Sequence, residues 1–147
     1  MRYYYIESDQ TSPYLFLILS PLYLMSIQKI LDNVMKTDQH IRFATICDMD
    51  GNEVGTVIRD GVTPILNDEE HKETLRYAVS AWKTRAKFAP KIGQGKYVLA
   101  VYEHLRRLTM PLGSKYMLLI TWGPDGGTQD IVTHLQNMFS GDPTLDW

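Results

Sequence analysis

The chain has 147 residues, of which 44% are hydrophobic and 22% charged, and this composition is typical of one globular domain. It excludes an intrinsically disordered chain, and the single cysteine, Cys47, excludes an intrachain disulfide and fits a reducing, cytoplasmic environment. The net charge of −2 and a pI near 6.0 argue against a protein that binds nucleic acid.

Residues 1–22 are predicted to be an apolar lead-in that precedes the domain. The apolar run Tyr14–Met25 has only twelve residues and contains Pro21. A membrane-spanning helix needs about twenty apolar residues. Arg2 is offset by nearby acids and no small-residue cleavage site follows, which disfavours a signal peptide. We therefore predict no membrane span, and we interpret residues 1–22 as a segment that is either flexible or not native.

A helix followed by a β-hairpin is predicted next. The helical spacing of apolar residues predicts a first helix over Tyr23–Lys36. Two runs rich in β-branched and aromatic residues, Ile41–Asp48 and Glu53–Arg59, are predicted to be strands. Asp50 and Gly51 lie between them and predict a type I′ turn, in which both central residues have positive φ.

The same loop resembles a calcium-binding loop, because Asp48, Asp50 and Asn52 alternate along it. An EF-hand loop needs glycine at its sixth position and glutamate at its twelfth. Counted from Asp48, those positions hold Glu53 and Arg59. We therefore predict a turn between two strands and no metal site.

Asn67 is predicted to cap a long helix over Asp68–Phe88, whose acidic first turn suits the helix dipole. One apolar stripe of this helix is predicted to pack on the sheet: Leu75, Ala78, Val79, Trp82 and Ala86. A second, weaker stripe lies on the far side: Tyr77, Ala81, Thr84 and Phe88. A helix that only covers a sheet does not need the second stripe, so it predicts contact with another molecule, such as a second copy.

Three further strands and a last helix complete the predicted domain. The strands are Lys96–Tyr102, Leu105–Met110 and Tyr116–Trp122, and the short turns between them imply antiparallel neighbours. A helix over Thr128–Phe139 ends the pattern.

The predicted order of elements is α-β-β-α-β-β-β-α. It indicates an α+β fold with a five-stranded antiparallel sheet and helices on both faces. Residues 23–139 would form this single domain, and residues 140–147 would form a tail.

No catalytic or metal-binding motif is present. The four histidines are never spaced at i, i+4, and there is no CxxC, GxSxG or Walker loop. We predict a protein that is not an enzyme and that needs no cofactor.

The charges are unevenly distributed along the chain. The stretch from His71 to Lys115 carries ten lysines or arginines and two acids, whereas the remainder carries five and fifteen. This distribution favours an acidic partner or a self-complementary assembly, with simple solvation of differently charged faces as the alternative. The candidate contacts for an acidic partner are Lys72, Arg76, Lys83, Lys87, Arg106 and Arg107.

A set of aromatic residues supports a second hypothesis, a sensor-type domain of the PAS or profilin-like kind. Trp82, Tyr97, Tyr102 and Trp122 would line a pocket for a small ligand between sheet and helix. Core packing is the alternative account of these residues. PAS domains also order their strands and helices differently, with more helix in mid-chain.

The order of elements, together with the glycine-turned hairpin ATICDMDGNEVGTV, resembles the Roadblock/dynein-light-chain superfamily of profilin-like folds over residues 26–139. The stretches IRFATICDMDG, AVSAWKTR, APKIGQGKYVLAVYE and RRLTMPLG also resemble an uncharacterised protein family of ammonia-oxidising archaea, which brings no known activity with it.

The Roadblock resemblance implies a non-catalytic module that forms homodimers and takes part in signalling or scaffolding. Such domains join edge strands and long central helices side by side, and the dimer often serves a small GTPase or a scaffold. Here the edge strand would be Lys96–Tyr102 and the central helix Asp68–Phe88, while the apolar lead-in departs from the family pattern. The implied interface candidates are Tyr77, Ala81, Thr84, Phe88, Lys96, Val98 and Ala100.

Overall fold

The computed structural model describes residues 1–5 and 21–140, so predictions for residues 6–20 and for the tail from residue 141 onwards lie outside the described residues. Its elements in chain order are β1 (Arg2–Tyr5), α1 (Pro21–Lys36), β2 (Ile41–Asp48), β3 (Glu53–Ile58), α2 (Asp68–Ala86), α3 (Ala89–Ile92), β4 (Val98–Val101), β5 (Arg106–Leu112), β6 (Tyr116–Trp122) and α4 (Thr128–Phe139).

The described strands form one antiparallel sheet of six strands in the order β1-β3-β2-β6-β5-β4. The predicted α+β class is confirmed, with α1 and α4 on one face and α2 on the other. The predicted count of five strands was wrong, because β1 pairs with β3 from Arg2 opposite Ile58 to Tyr5 opposite Gly55. The backbone groups of β3 that β2 does not use are free to pair, and a four-residue strand is too short to show alternation in the sequence.

The hairpin between β2 and β3 is present, but its turn is not of type I′. Gly51 has φ +83°. Asp50 does not have the positive φ that a type I′ turn also requires, because every positive-φ residue in the described part of the chain is a glycine. The N–H of Gly51 donates to the carbonyl of Asp48 at 3.1 Å, and the N–H of Asp48 donates to the carbonyl of Asn52 at 2.9 Å. This is a three-residue loop, a type I turn followed by a left-handed glycine.

Asp48 explains why the loop takes this form. Its carboxylate Oδ1 accepts hydrogen bonds from the backbone N–H groups of Asp50 and Asn52, each at 2.9 Å. The alternating polar residues therefore organise the turn itself, as aspartate commonly does.

The larger core lies between the sheet and the helices α1 and α4. Trp122 is fully buried there, and its indole Nε1 donates to Thr128 Oγ1 at 3.2 Å, which ties β6 to the first turn of α4. Each buried side chain of this size contributes about 1.5–3 kcal/mol through removal of apolar surface from water. Other members of this core are Leu31, Ile46, Leu118, Ile120, Ile131 and Phe139.

The smaller core lies under α2. Asn67 caps this helix as predicted: its side chain accepts from the N–H of Glu70 at 2.9 Å, and the Glu70 carboxylate accepts from the N–H of Asn67 at 3.0 Å. Leu75, Val79 and Trp82 of the predicted stripe are buried against the sheet. The capped start and the buried stripe fix how α2 lies on the sheet.

The end of α2 differs from the prediction. The helix was expected to reach Phe88 but ends at Ala86, which is exposed and does not extend the buried stripe. Pro90 lacks an N–H to donate to the carbonyl four residues earlier, that of Ala86, and its ring conflicts with that carbonyl. Phe88 instead caps the short helix α3.

The remaining bounds are close to those predicted. The structure confirms β2, β6 and α4 at their predicted limits. The first helix begins at Pro21, two residues earlier than expected, and β5 is displaced by one to two residues to Arg106–Leu112. Within the described ranges, no helix is both long and apolar enough to cross a membrane.

Candidate interaction surface

Strand β4 forms one edge of the sheet. It pairs with β5 on one side and with no other strand among the described residues. The predicted strand Lys96–Tyr102 was three residues too long, because Lys96 and Tyr97 belong to the irregular segment before β4 and the N–H of Tyr102 bonds to the carbonyl of Leu105 at 2.8 Å. An edge strand presents unpaired backbone N–H and C=O groups, which makes it a template for another strand.

The side chains of Val98 and Ala100 lie on the α2 face of the sheet. Val98 is opposite Thr109 and Ala100 is opposite Arg107, and directly opposed residues point to the same face. Both are half-buried, and Val98 packs against the core under α2.

One flank of α2 rises beside this edge. The hydroxyl of Thr74 accepts a hydrogen bond from Arg107 of β5 at 2.5 Å, which places that flank towards β5 and β4. Tyr77 and Ala81 follow at i+3 and i+7 and therefore share the flank. Tyr77 is 77% exposed and Ala81 is half-buried. Thr84 lies one turn beyond Ala81 and is exposed.

Further apolar side chains are exposed near the end of this flank. Phe88 is 53% exposed and Ile92 is 83% exposed. Val101 at the end of the edge strand β4 is 63% exposed, but it lies opposite Arg106 and so points to the other face of the sheet. We name the β4–α2 surface as the set Tyr77, Ala81, Thr84, Phe88, Val98 and Ala100. The structure brings six of the seven predicted interface residues, Tyr77, Ala81, Thr84, Phe88, Val98 and Ala100, to one side of the sheet, whereas the seventh, Lys96, precedes the strand and is solvent-exposed.

The predicted basic set is not one cluster. Lys72, Arg76 and Lys83 are exposed and share the opposite flank of α2. Arg76 passes close to the hairpin turn, since a Cβ atom added to Gly51 would lie only 2.9 Å from the Cγ of Arg76. Lys87 follows the helix and is exposed. Arg106 and Arg107 are consecutive strand residues, so they point to opposite faces of the sheet.

A polar cluster beneath the start of α2 was missed by sequence reasoning. His71 lies 3.5 Å from the Glu53 carboxylate and 3.5 Å from the hydroxyl of Thr45. Thr45 in turn contacts Thr56 at 2.8 Å, and the Thr56 hydroxyl donates to Glu53. Burial alone would raise the pKa of Glu53, but hydrogen bonds from His71 and Thr56 outweigh it, so the pKa lies below its usual value. The sequence signal that could have revealed this cluster was the presence of Thr45 and Thr56 at inward-facing positions of the two predicted strands.

The aromatic set predicted for a ligand pocket does not meet in one place. Trp122 belongs to the core under α1 and α4, whereas Trp82 belongs to the core under α2, on the opposite face of the sheet. The indole Nε1 of Trp82 donates to Thr109 Oγ1 at 2.9 Å. Tyr97 and Tyr102 are exposed. The two tryptophans are core residues, which was the alternative account.

Cys47 is fully buried in the core under α2. Burial raises the pKa of its thiol to about 12, and the nearby acids Asp48 and Glu53 add to the rise. The reactive thiolate is therefore scarce at neutral pH.

No family model matches the sequence, and no curated protein matches it. Solved structures do match. The gliding protein MglB from Thermus thermophilus superposes with a TM-score of 0.64 and 10% identity, over 80% of this chain and 85% of its own. An MglB described with a tetrameric arrangement gives 0.65 and 12%, over 80% and 85%. A Roadblock/LC7 domain from Streptomyces avermitilis gives 0.58 and 10%, over 76% and 90%.

The chain has the Roadblock fold. The similarity covers most of both chains in each comparison, so it concerns the whole sheet and its helices and not one local motif. The Roadblock-like architecture inferred from the order of elements is thereby confirmed. Within this Roadblock fold, β4 and α2 are the two elements that the sequence resemblance assigned to dimer formation, and they are the elements that build the β4–α2 surface.

Proposed function

We propose that this Roadblock-fold chain is a non-catalytic interaction module that works as a homodimer, with a regulatory or scaffolding role. The observation that carries the proposal is the β4–α2 surface, where an edge strand lies beside an exposed apolar flank. Two copies related by a twofold axis would pair their β4 strands antiparallel and place their α2 helices side by side. The same surface then serves both copies, as a twofold interface requires.

The exposed side chains support this proposal. Tyr77 and Phe88 are large, apolar and more than half exposed, and a patch of such residues on a soluble domain commonly marks a contact site. Aromatic residues are also enriched at interface centres. The tetrameric arrangement of an MglB with the same fold is a precedent for assembly of this architecture.

Native mass spectrometry of the full-length protein tests the dimer. We expect the wild type to have the mass of two chains, and Tyr77→Asp with Phe88→Asp to give a folded monomer, because a buried unpaired carboxylate is costly. Val101→Lys places a charge on the outer strand and should also weaken the dimer. Circular dichroism establishes that each variant is folded.

A matched control separates the interface from general surface effects. Ile65 is 59% exposed but lies in the loop before α2 and belongs neither to β4 nor to the α2 flank, so Ile65→Asp should leave the dimer mass unchanged. A monomeric wild type, or a dimer that survives all three changes at Tyr77, Phe88 and Val101, would contradict the proposed pairing.

The partner of the dimer is proposed to be an acidic protein, with a small GTPase as the class that the family resemblance implies. Lys72, Arg76 and Lys83 form an exposed basic flank of α2 that the proposed dimer leaves free. Purified candidate GTPases can be tested by titration against wild type and Arg76→Glu with Lys83→Glu. We expect binding that weakens with salt and is lost in the variant, while the dimer mass stays unchanged. Equal binding by the variant would reject the basic flank as the contact site.

A further inference from the structure

A groove opens on the α2 face of the sheet, at the start of α2. Its volume is about 460 Å³, which falls within the range of about 300–1,000 Å³ that is usual for small-molecule sites. Phe43 and Ile58 contribute to its apolar floor, and Ile65 and Leu66 form a wall from the loop before α2. The ring of Phe43 meets His71 edge to face, with centroids 5.7 Å apart.

Arg107 lies at one side of this groove and lacks a counter-charge. Among the described residues it makes one hydrogen bond, to Thr74 Oγ1, although a guanidinium has five N–H donors. No carboxylate of the described ranges forms an ion pair with it. Burial lowers the pKa of Arg107, which reflects the cost of holding its charge away from water.

The surroundings of Arg107 add to this imbalance. Arg2, Arg42 and Lys72 also line the groove, against the two acids Glu53 and Asp68. Arg42 is held by a hydrogen bond to the carbonyl of Thr63 at 3.0 Å and has no acidic partner among the described residues. Four cations and an apolar floor therefore share one small space.

A second unsatisfied group lies beside Arg107. Thr121 is directly opposite both Phe43 and Arg107 in the sheet. Its hydroxyl is buried and has no hydrogen-bond partner among the described residues. Buried polar groups are normally paired, so an unpaired hydroxyl next to a guanidinium with a single hydrogen bond leaves unused hydrogen-bonding capacity in this part of the sheet.

We propose that the groove binds a small amphipathic organic anion, whose acidic head pairs with Arg107 and whose apolar body lies over Phe43 and Ile58. A guanidinium recognises a carboxylate, sulfonate or phosphate through paired N–H donors. Arg42 lies close enough in the same groove to favour the same charge. This site is separate from the β4–α2 surface and does not depend on the proposed dimer.

A fluorescent probe pair tests the site on the full-length protein. 8-Anilinonaphthalene-1-sulfonate has an apolar aromatic body and one sulfonate, and N-phenyl-1-naphthylamine has the same body without the charge. We expect the sulfonate probe to saturate at one molecule per chain. Arg107→Gln should raise its Kd about tenfold or more, the usual effect of losing a charged hydrogen-bond partner.

The matched control is Arg106→Gln, which removes the same charge from the neighbouring residue on the opposite face of β5. It should change the Kd of the sulfonate probe less than about twofold, since a surface charge contributes little. The neutral probe should bind wild type and both variants alike. Equal weakening by the two variants, or equal loss of the neutral probe in Arg107→Gln, would overturn the proposal.

Amide chemical shifts give a second measurement that needs no variant. In ¹H–¹⁵N spectra of the wild type, the sulfonate probe should shift the amide signals of Phe43, His71 and Arg107. Shifts centred on Tyr77 and Ala81 would show instead that the probe binds the exposed β4–α2 surface, and the groove proposal would then be wrong. Arg42→Gln replaces Arg107→Gln if the latter does not fold, with the same direction expected.

Discussion

Replacing Arg59 by methionine should destabilise the domain by about 2–4 kcal/mol. Arg59 directly follows β3, and its Nε donates to the carbonyl of Ile41 at 2.7 Å. Its Nη2 donates to the carbonyls of Met35 at 2.8 Å and Asp38 at 3.0 Å. The Met35 carbonyl is in the last turn of α1, where helical partners run out.

The magnitude follows from these contacts. A hydrogen bond that involves a charged group contributes about 1.5–3 kcal/mol, and three bonds from one half-buried side chain are not additive. Methionine keeps much of the apolar stem, so the loss is mainly the three carbonyl contacts. Arg59→Lys keeps the charge but not the fork geometry, and we expect it to recover less than half of the loss.

Urea denaturation followed by circular dichroism measures this effect, at one fixed protein concentration because a dimer couples stability to concentration. Arg106→Met is the control, because Arg106 donates to the carbonyl of Tyr102 in an exposed turn. This substitution should lower the free energy of unfolding by about 0.5 kcal/mol or less. If the free energy of unfolding of Arg59→Met lies within about 0.5 kcal/mol of the wild-type value at an unchanged m-value, the hydrogen bonds from Arg59 that connect α1, β2 and β3 do not stabilise the domain.

Two further predictions concern polar groups under α2. Thr109→Val should destabilise by about 1–3 kcal/mol, because the buried indole N–H of Trp82 loses its acceptor; Thr109→Ser should retain most of the stability, and equal urea midpoints for both variants would contradict this. Glu53→Gln should lower stability at pH 5.5, because the pKa of Glu53 is depressed and its ionised form is favoured by folding. The gap between wild type and Glu53→Gln should be complete above the usual glutamate pKa of about 4.3 and should shrink as the pH falls through the lower folded-state pKa, so a constant gap down to pH 3 would refute the linkage.

The elements with strong local patterns could be predicted from the sequence. Strand β6 is apolar at every position except Thr121 because both faces of the sheet are covered there, and its bounds Tyr116–Trp122 were correct. The cap at Asn67 was correct because capping depends on residues within one turn. Local rules also placed the hairpin, but its turn type depended on the Asp48 carboxylate, which accepts hydrogen bonds from two backbone N–H groups and so favours a longer loop.

What depends on distant pairing could not be predicted. Strand β1 has four residues and exists because the edge of β3 accepts it, and that edge is about fifty residues or more away in sequence. The role proposed for Arg107 was hidden for a similar reason. It was grouped with Arg106 as surface charge, whereas strand alternation sends the two side chains to opposite faces, and only α2 and the loop before it turn one face into a groove.

The two proposals rest on different residues, so each can fail without the other. Tyr77 lies on the α2 flank towards β4, and Arg107 lies under the helix start, where it bonds to Thr74 and is opposite Ala100 of β4. Tyr77→Asp with Phe88→Asp should therefore abolish the dimer while changing the Kd of the sulfonate probe less than about twofold, and Arg107→Gln should do the reverse. If both variants change both readouts, the two sites are coupled through α2, and neither measurement alone would then define a site.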